Sequence, residues 1–153
     1  KGGAGCICPE SVLLKSLVTH LLLDRSSDEV IMDMEAGVEH LGRATAQAVD
    51  AFLIVVEPGR RSLQTAELIQ RLARDIGIPR LYLVANNVRD ARDQQFIQEH
   101  GPDLPILGFL SHSPDAIEAD MQGISVFEMA PQLVEEAQVI AAELDRLSAA
   151  SSS

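Results

Sequence analysis

Tryptophan is absent from this 153-residue chain, and one tyrosine and four phenylalanines hold the aromatic share to 3%. A core must therefore be built from Leu, Ile, Val and Ala, the residues of buried parallel strands covered by helices. Basic residues are also scarce: twelve Lys and Arg stand against twenty-three Asp and Glu, a formal charge of −11. Such a charge repels phosphate backbones and anionic lipid, so neither nucleic acid nor a membrane is expected as a partner. No apolar run reaches the roughly 18 residues that span a bilayer, and no signal-peptide pattern opens the chain, so a cytoplasmic protein is expected. Cysteine is limited to Cys6 and Cys8. A disulfide across one intervening residue would be strained, which points to a reducing compartment and metal binding instead.

What is present is enough apolar residue, 46% of the chain, for one globular domain with a real core. That domain is expected over residues 1–147, with residues 148–153, rich in Ser and Ala, as a disordered tail. Val12, Leu13, Leu14, Leu17, Val18, Leu21 and Leu22 recur at helical spacing after Pro9 and Glu10, which suit a helix start. Strands are expected at Val30 to Met34, at Ala51 to Glu57 as a fully buried strand, at Leu81 to Ala85 and at Ile106 to Leu110. Helices are expected around Glu39 to Val49, from Leu63 to Ile76 with Gly77 and Pro79 as its stop, near Asp93 to His100, as a turn around Pro114 to Met121, and from about Pro131 to Leu147. Alternation of strand and helix predicts a doubly wound α/β fold with a mainly parallel sheet and flanking helices.

The chemistry concentrates in three places. Cys6 and Cys8 sit where a helix N-terminus lowers thiol pKa. A tetrahedral site wants four ligands and one chain brings two thiolates, so a two-fold axis would complete the site and make metal binding and dimerisation one event. Asp33 ends a strand and Gly37 follows four residues later. A carboxylate there suits hydrated magnesium, and the glycine lets a backbone N–H approach a γ-phosphate; a solvated strand-end aspartate is the plain alternative. Asn86, after the third strand, offers a donor and an acceptor suited to a purine edge, against an Asn86-Asn87 turn as the alternative. Ser62 is a candidate helix cap beside the solvated Arg60 and Arg61. The four histidines, His20, His40, His100 and His112, form no cluster in sequence and read as polar surface, with His40 nearest the Asp33 motif. Lys1 to Gly5 superficially resemble a P-loop opening, but no strand precedes them and no lysine and hydroxyl follow, so they read as a turn.

The segments GGAGCICPE, VIMDMEAGVEHLGR, AFLIVVEPGRRS, YLVANNV and LPILGFLSHSPDAIEADMQG, in that order over nearly the whole chain, resemble the CooC family. These are MinD-like P-loop ATPases that assist nickel insertion during carbon monoxide dehydrogenase maturation. The resemblance implies a MinD-type fold, Mg-ATP or ADP as nucleotide, a homodimer with nickel or zinc at Cys6 and Cys8 on the subunit interface, and carbon monoxide dehydrogenase as client. It implies that Asp33 is the Walker B aspartate, Gly37 the switch II glycine and Asn86 the base-contacting asparagine. Asn87 departs from the lysine usual at the next position. A larger departure is that the family's N-terminal strand, its P-loop lysines and its switch I aspartate all precede the equivalent of Lys1. Without a phosphate cradle this chain is expected not to hydrolyse ATP. Its sheet is expected to compensate for the missing strand by direct pairing, swapping or association through exposed edges. A MinD or ParA type positioning ATPase and a non-catalytic adaptor of the same fold are the competing readings.

Overall fold

A computed structural model describes residues 31–33 and 49–150. Cys6, Cys8, Gly37, His20 and His40 lie outside the described residues, as do the expected first helix after Pro9 and, except for Val49, the helix expected around Glu39 to Val49. The elements run β1 (Phe52–Val56), α1 (Arg60–Asp75), β2 (Leu81–Val88), α2 (Ala91–His100), β3 (Ile106–Ser111), α3 (Pro114–Gln122), α4 (Val126–Met129) and α5 (Pro131–Ala150). The sheet order is β1-β2-β3, with β2 and β3 parallel. Each strand returns through a helix, which is the α/β alternation expected from the sequence. Two compact units divide the chain: residues 1–52 with 69–80, and residues 53–68 with 81–153.

In the first unit the end of α1 and the approach to β2 are closed by backbone bonds. Gly77, at φ 86°, follows the helix, and Gly77 N–H donates to Arg74 O while Ile78 N–H donates to Ala73 O, both at 3.0 Å. This paired pattern requires the left-handed region at residue 77, which glycine enters without a Cβ penalty. Arg80 then reaches back: its Nε donates to Asp50 O at 2.7 Å, and its own carbonyl accepts from Phe52 N–H at 2.9 Å. The strand expected at Val30 to Met34 is not seen at its described residues. Ile31 to Asp33 carry no strand, and Ile31 is 95% exposed. A strand exists only where a neighbour pairs its backbone, and the sheet β1-β2-β3 does not include this segment. Asp33 is exposed.

In the second unit β2 is the central strand, and Leu81 to Ala85 are all buried, as a strand covered on both faces must be. β1 differs from the expected fully buried strand: Ile54 and Val56 are buried while Leu53 and Val55 are exposed. Its apolar residues serve both faces, but the pleat sends alternate side chains to opposite sides and one of these is open to solvent. In the part of α1 that belongs to this unit, Leu63 and Ala66 are buried at a spacing of three. α5 packs on β3, and at Gly108 there is no room for a side chain: a Cβ there would stand 2.6 Å from Ile140 Cγ1. Two boundaries depart from the sequence expectation. α5 is helical through Ala150, past the expected end at Leu147, and a short helix, α4, follows Ser125, whose hydroxyl accepts from Phe127 N–H at 3.3 Å.

Candidate functional site at the strand ends

The carboxyl ends of parallel strands open onto one edge of a sheet, and ligands of doubly wound folds sit beyond that edge. Here β2 and β3 bring Asn86, Asn87, Ser111 and His112 to it. Asn86 and Asn87 were expected beyond the strand; instead β2 continues through Val88. Ala85 pairs with Phe109 and Val88 with Ser111, so β2 spends one residue more than β3 across this interval. That surplus is a bulge, and Asn87 absorbs it at φ 59°, the sole non-glycine positive φ among the described residues. Asparagine tolerates this region better than most residues. The bulge leaves Asn86 and Asn87 half-buried between buried Ala85 and Val88.

His112 is exposed, in keeping with its reading as polar surface, and it also joins this arrangement. Its N–H donates to Val88 O at 2.9 Å, extending the β2–β3 ladder by one residue. Its ring Nδ1 lies 2.7 Å from Asn87 Oδ1. The sequence signal available was the paired strand ends: two strands of similar length put their following residues side by side. His100, by contrast, stacks on Phe96 with ring centroids 4.7 Å apart and bonds its own helix, Nδ1 to Phe96 O at 3.1 Å.

A second feature lies between the β1–α1 connection and the start of α2. Pro58, Gly59, Arg89, Asp90, Arg92, Asp93 and Phe96 line an open cleft of about 460 Å³. Asp90 caps α2, its Oδ1 accepting from Arg92 N–H at 2.9 Å and Asp93 N–H at 3.0 Å. Arg89 grips Asp93 in a fork, Nε to Oδ2 at 2.8 Å and Nη2 to Oδ1 at 3.1 Å, and adds its backbone N–H at 3.0 Å. The Arg89 side-chain bonds hold the Asp93 carboxyl below its ordinary pKa. Asn86 and Asp33 are not among the lining residues. Ser62 does not cap α1 either: it lies inside the helix, and its hydroxyl accepts from Glu57 N–H at 3.0 Å, tying the connection to the end of β1.

Among the described residues no group of three or more His, Cys, Asp or Glu is placed to hold a metal ion, and no helix is long and apolar enough to cross a membrane.

No family model matches the chain. Comparison with curated proteins finds 41% identity over 142 residues with the carbon monoxide dehydrogenase accessory protein CooC of Rhodospirillum rubrum, covering 93% of this chain and 54% of that protein. By sequence, the chain resembles the CooC accessory proteins. The CooC-like chain is also 43% identical over 126 residues to an uncharacterised ATP-binding protein of Methanocaldococcus jannaschii, covering 80% of this chain and 48% of the relative. It thus spans about half the length of the curated relatives it matches. Among solved structures, the MinC:MinD cell division protein complex of Aquifex aeolicus aligns with a TM-score of 0.68 at 18% identity, over 90% of this chain and 58% of that one. That likeness shows the fold, a MinD-type α/β architecture, as the family resemblance implies.

Proposed function

We propose that this CooC-like chain carries the metal-binding, switch and base-reading residues of an accessory ATPase that serves carbon monoxide dehydrogenase maturation. The observation that supports the reading is the 41% identity with CooC over 93% of the chain, joined to the place of Asn86 within β2 beside the bulge near its carboxyl end. In this reading Cys6 and Cys8 take nickel or zinc, and two copies complete the four-ligand site. Asp33 and Gly37 answer the magnesium and γ-phosphate of ATP, and Asn86 reads the purine edge. The protein works as a cytoplasmic homodimer with the dehydrogenase as client.

In this reading Asn86, beside the bulge, has a definite chemical task. An amide offers one donor and one acceptor, which is what the amino group and ring nitrogen of adenine require. Asn87 and His112 hold the backbone that carries it. A MinD or ParA type positioning ATPase, the second reading, has less in its favour. α5 carries Glu135, Glu136, Glu143 and Asp145 against Arg146 alone, and Arg146 is paired with Glu143 at 2.6 Å. A membrane-targeting or DNA-binding helix needs the opposite charge.

The test is a chimera in which this chain replaces the matching half of the Rhodospirillum rubrum protein, placed in cells that lack their own copy. Nickel-dependent carbon monoxide dehydrogenase activity should return with the native sequence and fail with Asp33→Ala or with Cys6→Ser and Cys8→Ser together. Activity restored equally by these variants, or a folded chimera that restores none, overturns the reading.

A further inference from the structure

Between Pro114 and Met129 the chain contains no Lys, Arg or His, yet its large apolar side chains point outward. On α3, Ile117 and Met121 are one turn apart and share a face. They are 54% and 77% exposed, while Ala119 on the other face is fully buried. Beyond Gly123, Ile124 and Val126 are each 39% exposed and Phe127 is 72% exposed. α3 and α4 pack against each other, so these five residues belong to one surface region.

The display is fixed by local structure. Ser113 caps α3 through Ala116 N–H, Pro114 takes the first helical position, and Gly123 closes the helix at φ 66° with Ile124 N–H on Ala119 O at 2.9 Å. On α3, Glu118 and Asp120 flank the Ile117 and Met121 face on either side, and Glu128 neighbours Phe127 on α4, all three exposed. An apolar centre with a charged rim is the anatomy of an interaction site.

We propose that this α3–α4 surface docks a partner protein through an amphipathic segment whose apolar residues are flanked by lysine or arginine. The rim selects that occupant. A second copy would bring the same three carboxylates against themselves in a chain already at −11, and anionic lipid would meet the same repulsion. A helix laying its apolar face on the patch, with basic residues reaching the rim, satisfies both. Met121 suits such a role because its unbranched thioether side chain adapts to the shape presented to it. The inference is independent of nucleotide or metal binding.

The experiment uses two labelled synthetic helical peptides, one of Leu and Lys and one of Leu and Glu at the same positions, with fluorescence anisotropy on the whole chain at 150 mM salt. The Leu/Lys peptide should bind and the Leu/Glu peptide should not. Phe127→Asp and Met121→Asp each add negative charge, so attraction by charge alone predicts tighter binding. Docking predicts at least a tenfold loss for each, with unchanged circular dichroism because both side chains lie in solvent. Binding that is unchanged or tighter in the Asp variants overturns the proposal. So does concentration-dependent dimerisation that Phe127→Asp abolishes, which would give the patch to a second copy, or equal retention on zwitterionic vesicles, which would give it to lipid.

Discussion

Asn87 and His112 meet at 2.7 Å across the ends of two parallel strands, and the asparagine that makes this bond holds a left-handed backbone at φ 59°. The amide oxygen can only accept, so the ring Nδ1 is the donor of this bond. The bond pins the residue that absorbs the β2 bulge, directly next to Asn86.

Asn87 therefore has two separable roles. Asn87→Gly keeps the backbone conformation without strain and loses only the bond to His112, for an expected cost of about 1 kcal/mol. Asn87→Val loses the bond and forces a β-branched residue to positive φ, adding about 1–2 kcal/mol. Urea unfolding of the two variants should rank valine well below glycine. Equal losses would remove the backbone from the explanation.

Gly108 is predicted to be intolerant of a side chain. A Cβ would sit 2.6 Å from Ile140 Cγ1 in the β3–α5 contact, so Gly108→Ala should cost about 1–3 kcal/mol through overpacking. Combining it with Ile140→Ala should cost clearly less than the sum of the two single changes, because the cavity accepts the new methyl group. Additive losses in thermal unfolding would show that the two residues do not compete for the same space.

Glu136 links stability to pH. Burial pushes its carboxyl pKa up, but the Ser111 hydroxyl at 2.6 Å, the Ser111 N–H at 2.7 Å and the Gln132 amide outweigh that, and the net shift is downward. A depressed carboxyl contributes stability that is present above its unfolded pKa and is lost as pH falls through the lower folded value. Glu136→Gln should lose about 1 kcal/mol at neutral pH, and the gap to the native chain should close on acidification below the ordinary carboxylate range. A gap that stays constant as pH falls well below that range would contradict the assignment.

The sequence made the second half of the fold legible because its signals are local. The apolar stripe from Leu63 to Ala73, the Gly77 stop and the apolar run of β2 each appear within one element. Features that depend on what lies across space were not legible. Leu53 and Val55 look as buried as Ile54 and Val56 until the sheet shows one face of β1 open. Asn86-Asn87 looks like a turn until the register of β3 shows a bulge. Arg80 carries no motif, yet its side chain reaches back to Asp50 across thirty residues. Of the predicted site residues, Asn86 and Asp33 fall among the described residues, whereas Cys6, Cys8 and Gly37 do not.

The Cys6–Cys8 pair carries the central claim, because a metal shared between two chains would couple nickel handling to dimerisation. Native mass spectrometry of the chain with added Zn²⁺ or Ni²⁺, beside a Cys6→Ser, Cys8→Ser variant, measures it directly. One metal ion per two chains, with dimer rising as metal is added and both lost in the double variant, is the predicted result. One metal per single chain, or metal retained by the double variant, would contradict it.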